Sequence, residues 1–175
     1  MIKTDLGKVA KIILDKINSN IRKNTSLLQW SNSLELITWF EKLPNKNNLN
    51  FLKFDICSFY PSISKNELVK ALDFAKNYSK INQEDERIIF HSCISILSDL
   101  DGNTWTKADN NSFDVPMGSY MGAEICDLVG LYLLNDLGKI AEANGIGLYR
   151  DDGLMITNKS KCHQESIGKK TKICI

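Results

Sequence analysis

The chain has 175 residues, enough for one domain with a sizeable core. Its apolar fraction of 43% and charged fraction of 25% are those of an ordinary globular protein. A net charge of +1 at pH 7 gives no bulk sign of a polyanion partner, and no apolar run is long enough to span a bilayer.

In chain order, residues 5–23 read as a helix with Val9, Ile12, Ile13 and Ile17 on one face. Ser33 is the expected N-cap of a second helix whose apolar surface is Leu34, Ile37, Trp39 and Phe40 and which Pro44 stops. Residues 51–56 alternate as a strand, with Leu52, Phe54 and Ile56 on one face and Lys53 and Asp55 on the other. Ser64-Lys65-Asn66-Glu67 is a capping-box sequence and predicts a helix over 65–78. Asn82 with Asp85 opens another, over 83–99. Thr104 to Lys107 and Ser112 to Val115 are expected to pair across Asp109-Asn110-Asn111. The longest helix is predicted over 122–144, stopped by Gly145, and is apolar on most sides, as a buried helix is. A hairpin follows, with apolar runs 146–149 and 154–156 around Asp151-Asp152-Gly153. No element is legible beyond Asn158, where Lys159, Lys161, Lys169, Lys170 and Lys172 read as a solvated basic tail. This order suits an α+β domain with an antiparallel sheet covered by helices.

The five cysteines have no metal-like spacing, and Cys162-His163 alone is a weak ligand set. They read as reduced thiols of an intracellular protein without a signal peptide.

Alone, Asp-Asp-Gly is turn chemistry, and Asp55 alone reads equally well as a cap of the loop after its strand. Together they mean more. Acids that end two neighbouring strands can converge and hold divalent cations, which is the arrangement two-metal phosphoryl transfer needs.

Three stretches, taken together, resemble the palm of reverse transcriptases. Phe54-Asp55-Ile56-Cys57-Ser58-Phe59-Tyr60-Pro61-Ser62-Ile63 looks like polymerase motif A. Val115-Pro116-Met117-Gly118-Ser119, leading into a long helix, is similar to motif B, and Tyr149-Arg150-Asp151-Asp152 matches the Tyr-x-Asp-Asp box of motif C. The resemblance implies a polymerase palm over 51–158, a helical segment of partial fingers over 1–50 and a tail over 159–175 that is truncated or disordered. It implies an RNA-directed DNA polymerase of mobile-element type. Asp55 and Asp151, with the Ile56 carbonyl and Asp152 as the weaker carboxylate, would bind Mg²⁺, with Mn²⁺ as a substitute. Tyr60 would exclude the ribose 2′-hydroxyl, which implies deoxynucleoside triphosphates. Met117 and Gly118 would lie against the incoming nucleotide, and Tyr149 and Arg150 against the primer, on an RNA or DNA template.

The chain departs from the family at Met117, where a Gln is usual, and at Arg150, an unusual residue for the variable box position. No lysine acid, primer grip or thumb is legible before Ile175, so the thumb is expected to be missing or supplied by another chain. Two other readings stay open. One is a family B DNA polymerase palm, whose first motif resembles Asp55 to Ile63 but whose later acids are not adjacent. The other is a catalytically silent, nucleic-acid-binding palm remnant.

Overall fold

The computed structural model describes residues 5–46, 49–94, 97–105, 113–141, 145–157 and 173–174. The basic tail therefore lies outside the described residues, apart from a short terminal strand. Two compact units are formed, one from Met1–Asn24 with Tyr60–Val129 and the other from Thr25–Phe59 with Gly130–Ile175.

The first unit is helical. It holds α1 (Asp5–Asn24), α4 (Lys65–Ala75), α5 (Gln83–Ser92) and the first half of α6 (Gly122–Ala141). The buried face of α1 is Gly7, Ala10, Leu14, Ile17, Asn18 and Ile21. This corrects the face read from the sequence, since Val9 is 44% and Ile12 69% exposed. Several apolar stripes run along this helix, and helical spacing alone does not say which one is covered. Asn18 donates to the Glu124 carbonyl (2.9 Å), Lys11 pairs with the Glu124 carboxylate, and Arg22 pairs with Asp127 (2.7 Å), so α1 is tied to the start of α6.

Both expected capping boxes form, Ser64 with Glu67 on α4 and Asn82 with Asp85 on α5. α5 ends at Ser92 and does not continue to 99. In place of its last turns comes a small ribbon of β3 (Leu97–Ser98) and β4 (Thr104–Trp105). β4 thus pairs upstream with β3, and the expected turn at Asp109–Asn111 lies outside the described residues. The tight loop explains this pairing. The Asp99 carboxylate accepts from the backbone N–H groups of Asp101 and Asn103 and from the Asn103 side chain, and Gly102 takes φ +84°.

The second unit is built on a five-stranded sheet in the order β1-β5-β6-β2-β7. Its strands are β1 (Leu28–Gln29), β2 (Asn50–Ile56), β5 (Gly145–Tyr149), β6 (Asp152–Thr157) and β7 (Ile173–Cys174). The sheet is mixed, because β1 joins β5 in parallel while every other pairing in it is antiparallel. β7 adds an edge to β2 where no element was legible in the sequence. The α+β fold class and the helix-covered sheet are as expected.

α2 (Ser33–Glu41) begins one residue before its reading, with Asn32 and not Ser33 as N-cap. It has no fully buried residue, yet its aromatic side chains cover part of the sheet: Trp39 packs on Trp30 (5.2 Å between centroids) and Phe40 on Phe51 (5.4 Å). α6 is buried for most of its length, through Ile125, Cys126, Leu128, Leu131, Leu134 and Leu137. Cys93 and Cys126 are free and buried, but Cys57 is disulfide-bonded. This overturns the reading of all five as reduced thiols, since spacing cannot tell which distant cysteines a fold brings together.

Candidate active site

The central strands set Asp55 against Asp152, the carboxylate expected to be the weaker one, while Asp151 stands against Ile56. In the β2–β6 ladder Asp55 is directly opposite Asp152, and in the β5–β6 ladder Tyr149 is directly opposite Asp152. Side chains in direct register share a face of the sheet, so Tyr149, Asp152 and Asp55 form one row. The Ile56 N–H donates to the Asp151 carbonyl at 3.0 Å. That bond makes Ile56–Asp151 a hydrogen-bonded position, and Asp55–Asp152 the neighbouring non-hydrogen-bonded one. At such positions the Cα atoms approach to about 4.5 Å and side chains are closest.

The turn itself is Arg150-Asp151, between Tyr149 and Asp152. Asp151 and Asp152 are therefore at the turn as read, but the Asp-Gly pair that signalled it is not its centre. Arg150 takes φ +55°, a left-handed conformation that a side chain with a Cβ adopts at a cost. Gly153 has a different job. It stands opposite Phe54, and a Cβ on it would lie 2.1 Å from the Phe54 ring. Gly147 does the same for Trp30, whose ring would be 2.3 Å from a Cβ there. Each aromatic ring lies over a glycine, and a one-residue slip would place it over a side chain. The Phe54–Gly153 pair favours the register that sets Asp55 against Asp152, and Trp30 over Gly147 does the same for β1 on β5.

Asp55, Asp151, Asp152 and Arg150 are exposed, and Tyr149 is half-buried. Lys53, which shares a face with Asp55, pairs with Asp152 (Nζ–Oδ1 3.1 Å). Strand alternation already placed Lys53 beside Asp55, but its partner needed the cross-strand register.

The remaining sequence candidates belong to the other unit. Tyr60 is half-buried in the short α3 (Phe59–Ser62). Met117 is 70% exposed in the loop before α6. Gly118 takes φ +84°, with nothing within 4 Å of a Cβ position, so its backbone conformation and not local crowding calls for glycine.

Carboxylate oxygens are the hard donors that Mg²⁺ and Mn²⁺ take, and two opposed like charges gain from a cation between them. The residues present fit such an ion in chemistry. Among the described residues no group of three or more His, Cys, Asp or Glu side chains is gathered as a ready cage. What the fold provides is the two-strand frame, with Lys53 on one of its acids. No helix among the described residues is long and apolar enough to cross a membrane.

No family model matches this sequence, and no curated protein matches it either. Solved structures do. Apo telomerase from Candida Tropicalis aligns with 98% of this chain at a TM-score of 0.66 and 17% identity, and its form truncated from the C-terminal domain with 92% at 0.62 and 18%. Telomerase from Candida albicans in complex with a telomeric RNA fragment aligns with 95% at 0.53 and 16%. The chain spans 36%, 36% and 34% of those three chains, about a third of their length. At such identity the likeness is one of fold alone, over about a third of those telomerase chains.

Proposed function

We infer that this chain is the palm, with part of the fingers, of a reverse-transcriptase-type RNA-directed DNA polymerase. One observation carries the reading. Asp55 is held in direct register with Asp152, beside Asp151 in the turn, within a fold similar to that of telomerase, itself a reverse transcriptase. The neighbours give no support to a mobile-element origin, so the reading stops at the polymerase type.

In this reading Asp55, Asp151 and Asp152, with the Ile56 carbonyl, hold Mg²⁺. An ion bound there would supply Lewis-acid chemistry to a primer hydroxyl and a triphosphate. The chain's own residues orient the reactants. Tyr149 packs near the primer end and Arg150 faces a backbone phosphate. Tyr60 excludes a ribose 2′-hydroxyl, and Gly118 and Met117 border the incoming deoxynucleotide. The template is RNA, with DNA as the alternative.

A second reading, a nucleic-acid-binding palm without turnover, draws on the Lys53–Asp152 pair and the absence of a gathered acid trio among the described residues. Single-turnover extension of a primer on RNA and on DNA templates, with Mg²⁺ or Mn²⁺, decides between them. Extension that Asp55→Asn abolishes supports the polymerase. Primer–template binding with no extension on either template supports the silent palm.

A further inference from the structure

The ion pair at the opposed carboxylates has a consequence for how the site takes up a cation. Lys53 lies two residues before Asp55 on β2, on the same face, and stands opposite Leu154. From there its ammonium reaches along the sheet to Asp152 Oδ1 at 3.1 Å. The Lys53 side chain is 76% exposed, so no packing requirement holds it there. The attraction is electrostatic. Two carboxylates in direct register repel, and the ammonium relieves one of them. A divalent cation needs the same Asp152 oxygens, so ammonium and cation are alternatives at that carboxylate. We propose that Lys53 is a resident counter-ion that competes with the divalent cation for Asp152 and thereby sets the cation affinity of the site. The proposal rests on the cation-binding reading above and adds a residue that acts on it without being a ligand.

The test is Mn²⁺ binding to the whole chain, followed by loss of the free-ion electron paramagnetic resonance signal. It compares the native protein with Lys53→Met, Lys53→Arg, Asp55→Asn, Asp152→Asn and the Lys53→Met/Asp152→Asn double variant. Removing an exposed competitor of ordinary strength tightens binding about three- to fivefold in Lys53→Met. Lys53→Arg keeps the charge and stays near native affinity. The gain disappears in the Asp152→Asn background. It also narrows as salt rises from roughly 20 to roughly 500 mM, because exposed pairs are screened, a response that a merely structural lysine would not give. Lys53→Gln replaces the methionine variant if that one fails to fold.

Native-like or weaker binding by Lys53→Met, with binding still lost in Asp55→Asn, overturns the counter-ion role and leaves the cation site standing. A gain that survives in the Asp152→Asn background overturns it as well. Binding by the native chain no better than by Asp55→Asn overturns both the counter-ion role and the cation-binding reading.

Discussion

Asp55 and Asp152 stand directly opposite each other across the β2–β6 ladder, next to the Ile56–Asp151 hydrogen bond. Like charges so placed destabilise a sheet. Asp55→Asn is therefore expected to stabilise the metal-free protein by about 0.2–1 kcal/mol while abolishing Mn²⁺ binding and nucleotide addition. Urea unfolding without metal, set beside a primer-extension assay, checks both signs.

Arg150 holds φ +55° in the hairpin turn. Arg150→Gly removes the Cβ penalty and raises stability by about 1 kcal/mol, whereas Arg150→Val, β-branched at a left-handed position, lowers it. Thermal melts of the two variants should move in opposite directions. In the polymerase reading the glycine variant also weakens primer–template binding, because its cation is gone.

Gly153 admits the Phe54 ring, with a Cβ position 2.1 Å from it. Gly153→Ala is expected to cost about 1–3 kcal/mol as the ring is forced aside. The damage reaches the site, because Phe54 and Gly153 are the pair adjacent to Asp55 and Asp152. The checks are a lower urea midpoint and weakened Mn²⁺ binding. A second substitution, Phe54→Leu, should recover part of both by making room.

Lys11 is the partner of the Glu124 carboxylate, whose side chain is only 11% exposed. The hydrogen bond to Glu124, followed by the charge of Glu124 and Asp15, outweighs burial and raises the Lys11 ammonium above the ordinary lysine value. Its contribution to stability is thus fully present below that ordinary value and is lost as pH rises through the raised one. Lys11→Met leaves Glu124 buried without this partner and should cost about 1–3 kcal/mol at pH 7. Equilibrium unfolding measures it, and Glu124→Gln in the same background should recover part of the loss.

Cys93 is fully buried, and burial pushes its thiol up to about 12, against a smaller opposing effect of the Ser92 hydrogen bond. The folded state keeps this proton where an unfolded thiol releases it. Its share of stability is therefore complete below the ordinary thiol range and drains as pH climbs toward 12. At pH 8 a disulfide reagent should leave Cys93 unmodified in the native protein and label it on unfolding, read by mass spectrometry of the peptide.

Much of the fold was legible because its signals are local. Ser64 with Glu67 and Asn82 with Asp85 cap helices through contacts three residues apart, and both boxes form. The alternation of Leu52, Phe54 and Ile56 against Lys53 and Asp55 survives unchanged, because a strand has a period of two wherever it pairs. The misreadings were of partnership. The buried stripe of α1, the partner of β4, the parallel edge strand β1, the terminal strand β7 and the disulfide at Cys57 all depend on what a distant segment brings near.

The candidate site divides the same way. The sequence by itself determined that acids end two apolar strands, that a tight turn lies at Asp151 and Asp152, and that Tyr60, Met117 and Gly118 lie in motif-like surroundings. Local chemistry suffices for each of these. Only the tertiary structure decided that Asp55 faces Asp152, that Lys53 reaches Asp152, and that Gly153 serves Phe54 and not the turn. Those are facts of register. Register between strands far apart in the chain is set by which side chains can occupy the same space, here the Phe54 ring over Gly153.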